Sequence, residues 1–321
     1  MVPPPPVPPP WDEDEDLLGD ELLDEQEEDW VEVGEDGAPG FRGALFSSQA
    51  AHYAAYRPLY PPHIYQRIYD FAAVALGRQP GQSSQELAID VGCGPGNVAV
   101  ELAKRYAQVI GIDSSQAQLD HAFKRPNVRY IHTAAEYLGS ILPPQSVDLV
   151  AIAETLHWID HRKFYEQVRQ ILKPTGVLTI WCYDLCEFRS MGEHQTAAGL
   201  NQANGLMRAF TYGTMGPFWD DRRQYIDKKY VGLEPTHDQF GVIERDNNEM
   251  EHIMSMDRYM GFLSSWSPYA AYRTTFPHKE DPLIELRAQF KQLLAVTDDV
   301  APSLRVVWPV FFLLARQPIP W

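Results

Sequence analysis

The chain has 321 residues, 45% of them hydrophobic, enough to bury the core of one large domain. Residues 1–43 hold fifteen Asp and Glu against one Arg, so a net charge of −17 leaves only about −3 for the remainder, which has no basic footprint for nucleic acid. Three cysteines (Cys93, Cys182 and Cys186) lack the neighbouring His or Cys pair that would complete a zinc site, and no metal is expected.

The first residues are nearly all proline, which favours polyproline II, and residues 11–36 are acidic with Trp11, Leu17, Leu18, Leu22, Leu23 and Trp30 among the charges. Too few apolar groups occur here to form a core. Residues 1–43 are therefore expected to be a disordered tail, or a segment that docks on a protein partner. Such a tail is the opposite of a secretory or mitochondrial presequence. The longest apolar run, Val306 to Ala315, is too short to span a bilayer and contains Pro309. A cytoplasmic protein without membrane contact is expected, in the reduced compartment that its cysteine usage suits.

The folded domain is expected over 44–321. Phe46 to Pro62 is dense in aromatics, with Tyr53, Tyr56, Arg57 and Tyr60, and ends in prolines that stop a helix. Ile64, Ile68 and Phe71 then mark one face of a helix closing at Gly77. Leu87, Ala88 and Ile89 lead as a strand into Asp90-Val91-Gly92-Cys93-Gly94-Pro95-Gly96-Asn97, followed by a helix from Val98 to Tyr106. Glycine is needed where the backbone takes positive φ or approaches a ligand closely. A nucleotide-like cofactor is the first expectation. The glycines run G-x-G-x-G rather than the G-x-G-x-x-G of the NAD fingerprint. Asp90 at the strand's end would oppose a pyrophosphate but suits an ammonium group.

A second strand, Val109 to Ile112, ends at Asp113, placed to bond ribose hydroxyls. Ser114 and Ser115 are cap candidates for a helix from Gln116 to Phe123. Val128 to His132 alternates as a third strand, followed by Ala134-Ala135-Glu136. Val147 to Ala153 is nearly all apolar, as in the middle of a parallel sheet, and delivers Glu154-Thr155-Leu156-His157-Trp158. Asp160 caps a helix with Phe164, Val168 and Ile171 on one face, and Val177 to Tyr183 is a fifth strand. This alternation predicts an α/β doubly wound parallel sheet, with ligands outside the carboxyl ends of its strands. Asp90, Asp113, Glu136, Glu154 and His157 all fall at such ends. Residues 184–300 read as an inserted helical cap. In it, Phe218 to Asp227 is a candidate helix, and Tyr259, Phe262, Leu263 and Trp266 share one face as packing or pocket lining. Pro282 to Phe290 reads as a helix. Arg305 to Arg316 reads as the closing strand, where Pro309 implies a bulge or an edge.

D-V-G-C-G-P-G-N resembles motif I of the class I S-adenosylmethionine-dependent methyltransferases. The aromatic segment resembles the F-x(6)-Y-x-x-x-R-P-x-Y-P of the trans-aconitate methyltransferase-like branch. A-E-T-L-H-W-I-D, F-Y-E-Q-V-R-Q-I-L-K-P-T-G-V-L-T-I-W and the residues 256–269 resemble further blocks of that branch. Thr175 replaces the first glycine of its K-P-G-G, a turn effect. The resemblance implies a Rossmann-like seven-stranded sheet with an antiparallel last strand, a helical cap, and S-adenosylmethionine as cofactor. It implies cofactor contacts from Tyr53, Arg57, Asp90, Gly92, Gly94, Gly96, Asp113, Ser114, Ala135, Glu136 and Glu154, with the aromatic segment folding over the cofactor. Trp158, Trp181, Trp266 and Tyr269 are expected to wall a small methyl acceptor that Arg57 and His157 orient, a small carboxylic acid methylated on oxygen. His157 stands where a base would be, or is a packed, hydrogen-bonded residue. Arg57 either anchors an acidic substrate or pairs locally. Two other classes compete: a nicotinamide-dependent oxidoreductase, which the loop spacing disfavours, and a non-catalytic scaffold working through its acidic tail.

Overall fold

A computed structural model of the protein describes residues 56–75 and 85–319. Tyr53 and the tail over 1–43 lie outside the described residues. Pro62 opens helix α1 (Pro62–Ala75), where a missing N–H costs nothing, and Ile64, Ile68 and Phe71 are buried on its inner face as the spacing predicts.

Strand β1 (Gln85–Val91), β2 (Tyr106–Asp113), β3 (Val128–His132), β4 (Val147–Ala153) and β5 (Leu172–Tyr183) form a parallel sheet in the order β3-β2-β1-β4-β5. Helices α2 (Asn97–Leu102), α3 (Gln116–Leu119), α4 (Leu138–Ile141) and α5 (His161–Ile171) join them. Two of these are shorter than the periodicity predicts. Tyr106 leaves the helix to begin β2, where its ring is buried in the core. Asp160 caps α5 by accepting the N–H groups of Arg162 and Lys163, as expected.

Beyond β5 come the short β6 (Glu187–Arg189), α6 (Ala197–Ala209), α7 (Arg223–Asp227), β7 (Phe240–Met254), α8 (Met256–Ser264), α9 (Ser267–Thr275), α10 (Pro282–Leu293) and β8 (Leu304–Pro318). The sheet among the described residues has eight strands, not seven, because the three-residue β6 adds to it. The segment 184–300 supplies not only helices but also β7, a fifteen-residue strand antiparallel to β8. Candidate helix Phe218 to Asp227 is realised as a 3-10 turn at Gly216–Phe218 and the short α7.

β8 is antiparallel to all its neighbours, with β5 and β6 end to end along one edge and β7 along the other. Pro309 is thus in an interior strand, not at the edge that a proline suggests. Its carbonyl accepts the N–H of Asp184 in the break between β5 and β6. A residue's N and C=O point to one side of a strand, so the N–H that proline lacks would face that same break. Successive residues of β4 and β5 enter opposite layers. Leu149, Ala151, Val177 and Trp181 face α1 and the cap, whereas Val150, Ile152, Leu178 and Ile180 face α5.

Candidate active site

The loop after β1 carries its glycines in left-handed conformations, with φ of 64° at Gly92, 53° at Gly94 and 82° at Gly96. Gly92 and Gly96 are also sites of close approach. A Cβ on Gly92 would lie 2.2 Å from Thr155, and one on Gly96 would lie 2.0 Å from the Tyr130 hydroxyl. Gly94 differs, since its Cβ would meet nothing nearer than Gln118 Oε1 at 3.8 Å. Asp113 ties the loop to the end of β2, accepting from Gly94 N at 2.8 Å and from Ser115 N at 2.9 Å. Asp90 is 1% exposed, and its Oδ2 has no hydrogen-bond partner among the described residues. Burial, aided by the charge of Asp113, pushes its carboxyl up to about 8.

The other acids are held in distinct ways. Glu136 accepts the N–H of Asp160 at 2.7 Å, fixing the entry to α5, and Ala135 is buried beside it. Ser114 is exposed, and its carbonyl stands 3.1 Å from His132 Nε2. Glu154 has a left-handed backbone, φ 55°, which turns its carboxylate toward β5, where it accepts from Tyr183 N at 2.5 Å. Burial pushes Glu154 up to about 7, against the pull of Arg57 and Arg223.

A cavity opens at the carboxyl ends of β4 and β5. Its polar groups include Arg57, Glu154, His157, Asp184 and Arg223, and Trp158, Trp219, Phe262, Trp266 and Trp308 supply most of its apolar wall. Arg57 donates to the Tyr183 hydroxyl at 2.8 Å. His157 is buried, with Nδ1 2.8 Å from the Tyr230 hydroxyl, and desolvation with the charges of Arg223 and Arg222 pushes it down to about 3. It lies where a base would stand, but as a packed, neutral imidazole.

Arg57, Glu154, His157, Trp158 and Trp266 are therefore brought together at the cavity. Two expected acceptor residues are not. Trp181 is fully buried in the core, 5.6 Å from Tyr60 and stacked on Phe312, because its position on β5 faces the α1 layer. Tyr269 points to α10, donating to Asp281 at 2.7 Å. Arg223 and Trp219 also line the cavity, and Tyr230 braces His157, although none of the three was expected at the site. The run Trp219-Asp-Asp-Arg-Arg223 was a visible signal, but nothing in it showed that it folds back over the ends of β4 and β5.

A family model described as a methyltransferase domain matches residues 89–180, from β1 to β5. A Dictyostelium discoideum protein named as a methyltransferase is 32% identical over 273 residues, covering 85% of this chain and 94% of its own. A Saccharomyces cerevisiae protein named as an S-adenosylmethionine-dependent methyltransferase is 27% identical over 296 residues, covering 84% and 96%. The solved structure of a type II methyltransferase from Anaeromyxobacter dehalogenans has a TM-score of 0.64 at 25% identity, covering 82% of this chain and 99% of that one. Glycine loop, strand order and relatives agree: the chain belongs to the class I S-adenosylmethionine-dependent methyltransferases.

Proposed function

We propose that the enzyme methylates a carboxylate oxygen of a small molecule. The observation that carries this reading is the cavity itself. Two guanidinium groups, Arg57 and Arg223, reach it, while its imidazole is held neutral and bonded to Tyr230. A carboxylate, ionised above about pH 4, needs no base, whereas a hydroxyl or ammonium acceptor would.

The residues of the loop fit the cofactor. Asp90 Oδ2 is a buried acceptor awaiting a donor such as an ammonium group. Gly94 leaves open space in front of its Cα, and each Asp113 oxygen keeps a lone pair for a ribose hydroxyl. Ala135 and Glu136 stand at the end of β3 for the adenine, with Ser114 beside them, and Glu154 stands between loop and cavity. Tyr53, outside the described residues, is proposed to complete the cover from the segment that carries Arg57. When bound, the cofactor supplies a methyl group on a sulfonium, so that a carboxylate oxygen gains a C–O bond as the S–C bond breaks onto sulfur and no proton moves. The chain's own part is to orient the acceptor through its arginines and to exclude water with its indoles, the main levers for an in-line displacement. All three cysteines are free thiols, which supports a cytoplasmic location.

The test supplies the full chain with labelled methyl donor and a panel of small acids, then treats the products with mild alkali. A methyl ester releases its label as methanol. Label that appears only in alkali-stable products, on amines or phenols, would overturn the carboxylate reading.

A further inference from the structure

Aromatic rings make up much of the wall of the cavity. Trp219 packs against Trp266 with centroids 5.3 Å apart, and Phe262 meets Trp266 edge-on at 5.6 Å and Trp308 at 5.5 Å. The Trp219 indole is fixed by its N–H, which donates to Thr211 O at 3.0 Å. Trp219 is half-buried, whereas Phe262, Trp266 and Trp308 are buried and back it as a rigid, apolar wall. Such a wall rewards an acceptor with a flat carbon skeleton and gives nothing to a small hydrated polyanion.

Charge points the same way. Arg223 and Arg57 bring two positive charges to the cavity, but Asp184, Asp220 and Glu154 line it as well. Asp184 stands 3.5 Å from Arg223 Nη2, and Asp227 accepts from its Nε at 3.2 Å. The site therefore has no surplus of positive charge with which to desolvate three carboxylates, and burying unpaired charge is costly. A single carboxylate is a different matter. Arg223 Nη2 is buried and, beyond its ion pair with Asp184, makes no hydrogen bond among the described residues. Its guanidinium lies over the Trp219 ring, with Cζ 4.9 Å from the centroid. A cationic group and a flat apolar ring thus stand side by side in the lining of the cavity.

We propose that the acceptor is a monocarboxylic acid with a flat apolar body, its skeleton against Trp219 and Trp266 and its carboxylate on Arg223. This rests on the carboxylate reading above and narrows it to one class of acid, with Arg223 and Trp219 as the residues that set specificity. A tricarboxylate such as trans-aconitate is a poor acceptor on this account, whatever the branch resemblance of the sequence.

The experiment uses the full chain with labelled S-adenosylmethionine and two probes, indole-3-acetate and trans-aconitate. The expected result is alkali-labile label on both, with kcat/KM for indole-3-acetate about tenfold or more the higher. Arg223→Gln should raise KM for indole-3-acetate about tenfold or more while changing kcat by less than about threefold, with S-adenosylhomocysteine binding preserved in calorimetry. Trp219→Leu alters no charge and covers the case in which Arg223→Gln does not fold. It should raise KM for indole-3-acetate by a clearly larger factor than KM for trans-aconitate. A higher kcat/KM for trans-aconitate, or a KM for indole-3-acetate that neither variant moves, overturns this inference and leaves the carboxylate reading standing. Absence of alkali-labile label from every acid, with amines or phenols labelled instead, overturns both.

Discussion

His157 and Asp113 show how far surroundings, rather than residue type, decide a role. An imidazole whose pKa has fallen to about 3 is a weak base, so it takes little part in removing a proton at neutral pH. Its bond to Tyr230 makes it a brace between the end of β4 and the loop after α7. His157→Asn, which retains an acceptor or donor for Tyr230, should therefore lower kcat by less than about tenfold in a cofactor-saturated assay. A loss of the about 10²–10⁴-fold that follows removal of a general base would return the proton-transfer role to this residue. Asp113 is different, since both its oxygens already organise the glycine loop through Gly94 and Ser115. Asp113→Ala removes those anchors together with the proposed ribose contact. It should weaken S-adenosylmethionine binding by about 1–3 kcal/mol, read by calorimetry, with NAD showing no saturable binding to the unaltered enzyme.

Among the elements, the segment ahead of α1 is held by α8 rather than by the sheet alone. Gly261 lies inside α8, where alanine would ordinarily favour the helix by about 1 kcal/mol. Here a Cβ would come 2.1 Å from the Tyr56 ring, so the segment bearing Arg57 can pack only against a glycine. Gly261→Ala should lower Tm and raise KM for the acceptor, and the pair Gly261→Ala with Tyr56→Ala should recover much of the Tm loss. Additive losses in that double-mutant cycle would show that the two do not meet in solution. The same element-by-element view explains what the sequence made legible. β1 to β5 were readable because the central strands are apolar, as in β4, because β3 alternates, and because each ends at or just before a conspicuous polar residue. β7 was not. Glu244, Arg245, Asp246, Asn247, Asn248, Glu249 and Glu251 crowd it, because among the described residues it pairs only with β8 and leaves much of its length to water. An edge strand with that composition resists further pairing and shows no clear hydrophobic period. The proposed cofactor half of the site was legible for a related reason: its glycines lie in one contiguous loop and its acids follow strand ends. The proposed acceptor half is assembled from Arg57, the end of β4, α7 and α8, distant in sequence, so no local pattern announced Arg223 or Trp219.

For the molecule as a whole, the buried Asp90 and the half-buried Glu154, beside the loop and the cavity, couple folding to pH. Asp90 rises from 3.8 to about 8 and Glu154 from 4.5 to about 7, both chiefly by desolvation. The folded chain keeps protons there that the unfolded chain releases near pH 4. Their stabilisation is therefore fully present below about pH 4 and is lost as pH rises through 7 to 8. His157 acts with the opposite sign, since its pKa falls from 6.5 to about 3, and its contribution is lost only as pH drops below 6.5. Between pH 6.5 and 8 the two carboxyls act without that opposition. The Tm of the ligand-free enzyme should fall across this window, and Asp90→Asn, which is neutral at every pH, should flatten the fall. Cofactor binding should run the other way. An ammonium group beside Asp90 favours the ionised carboxylate, so binding expels a proton and affinity climbs as pH approaches 8. Calorimetry in two buffers of unequal ionisation enthalpy measures that proton directly, and Asp90→Asn should abolish it along with part of the affinity. A Tm that holds level or rises from pH 6.5 to 8, with no proton released on binding, would mean that Asp90 is already ionised in the folded enzyme and that its buried oxygen has found another partner.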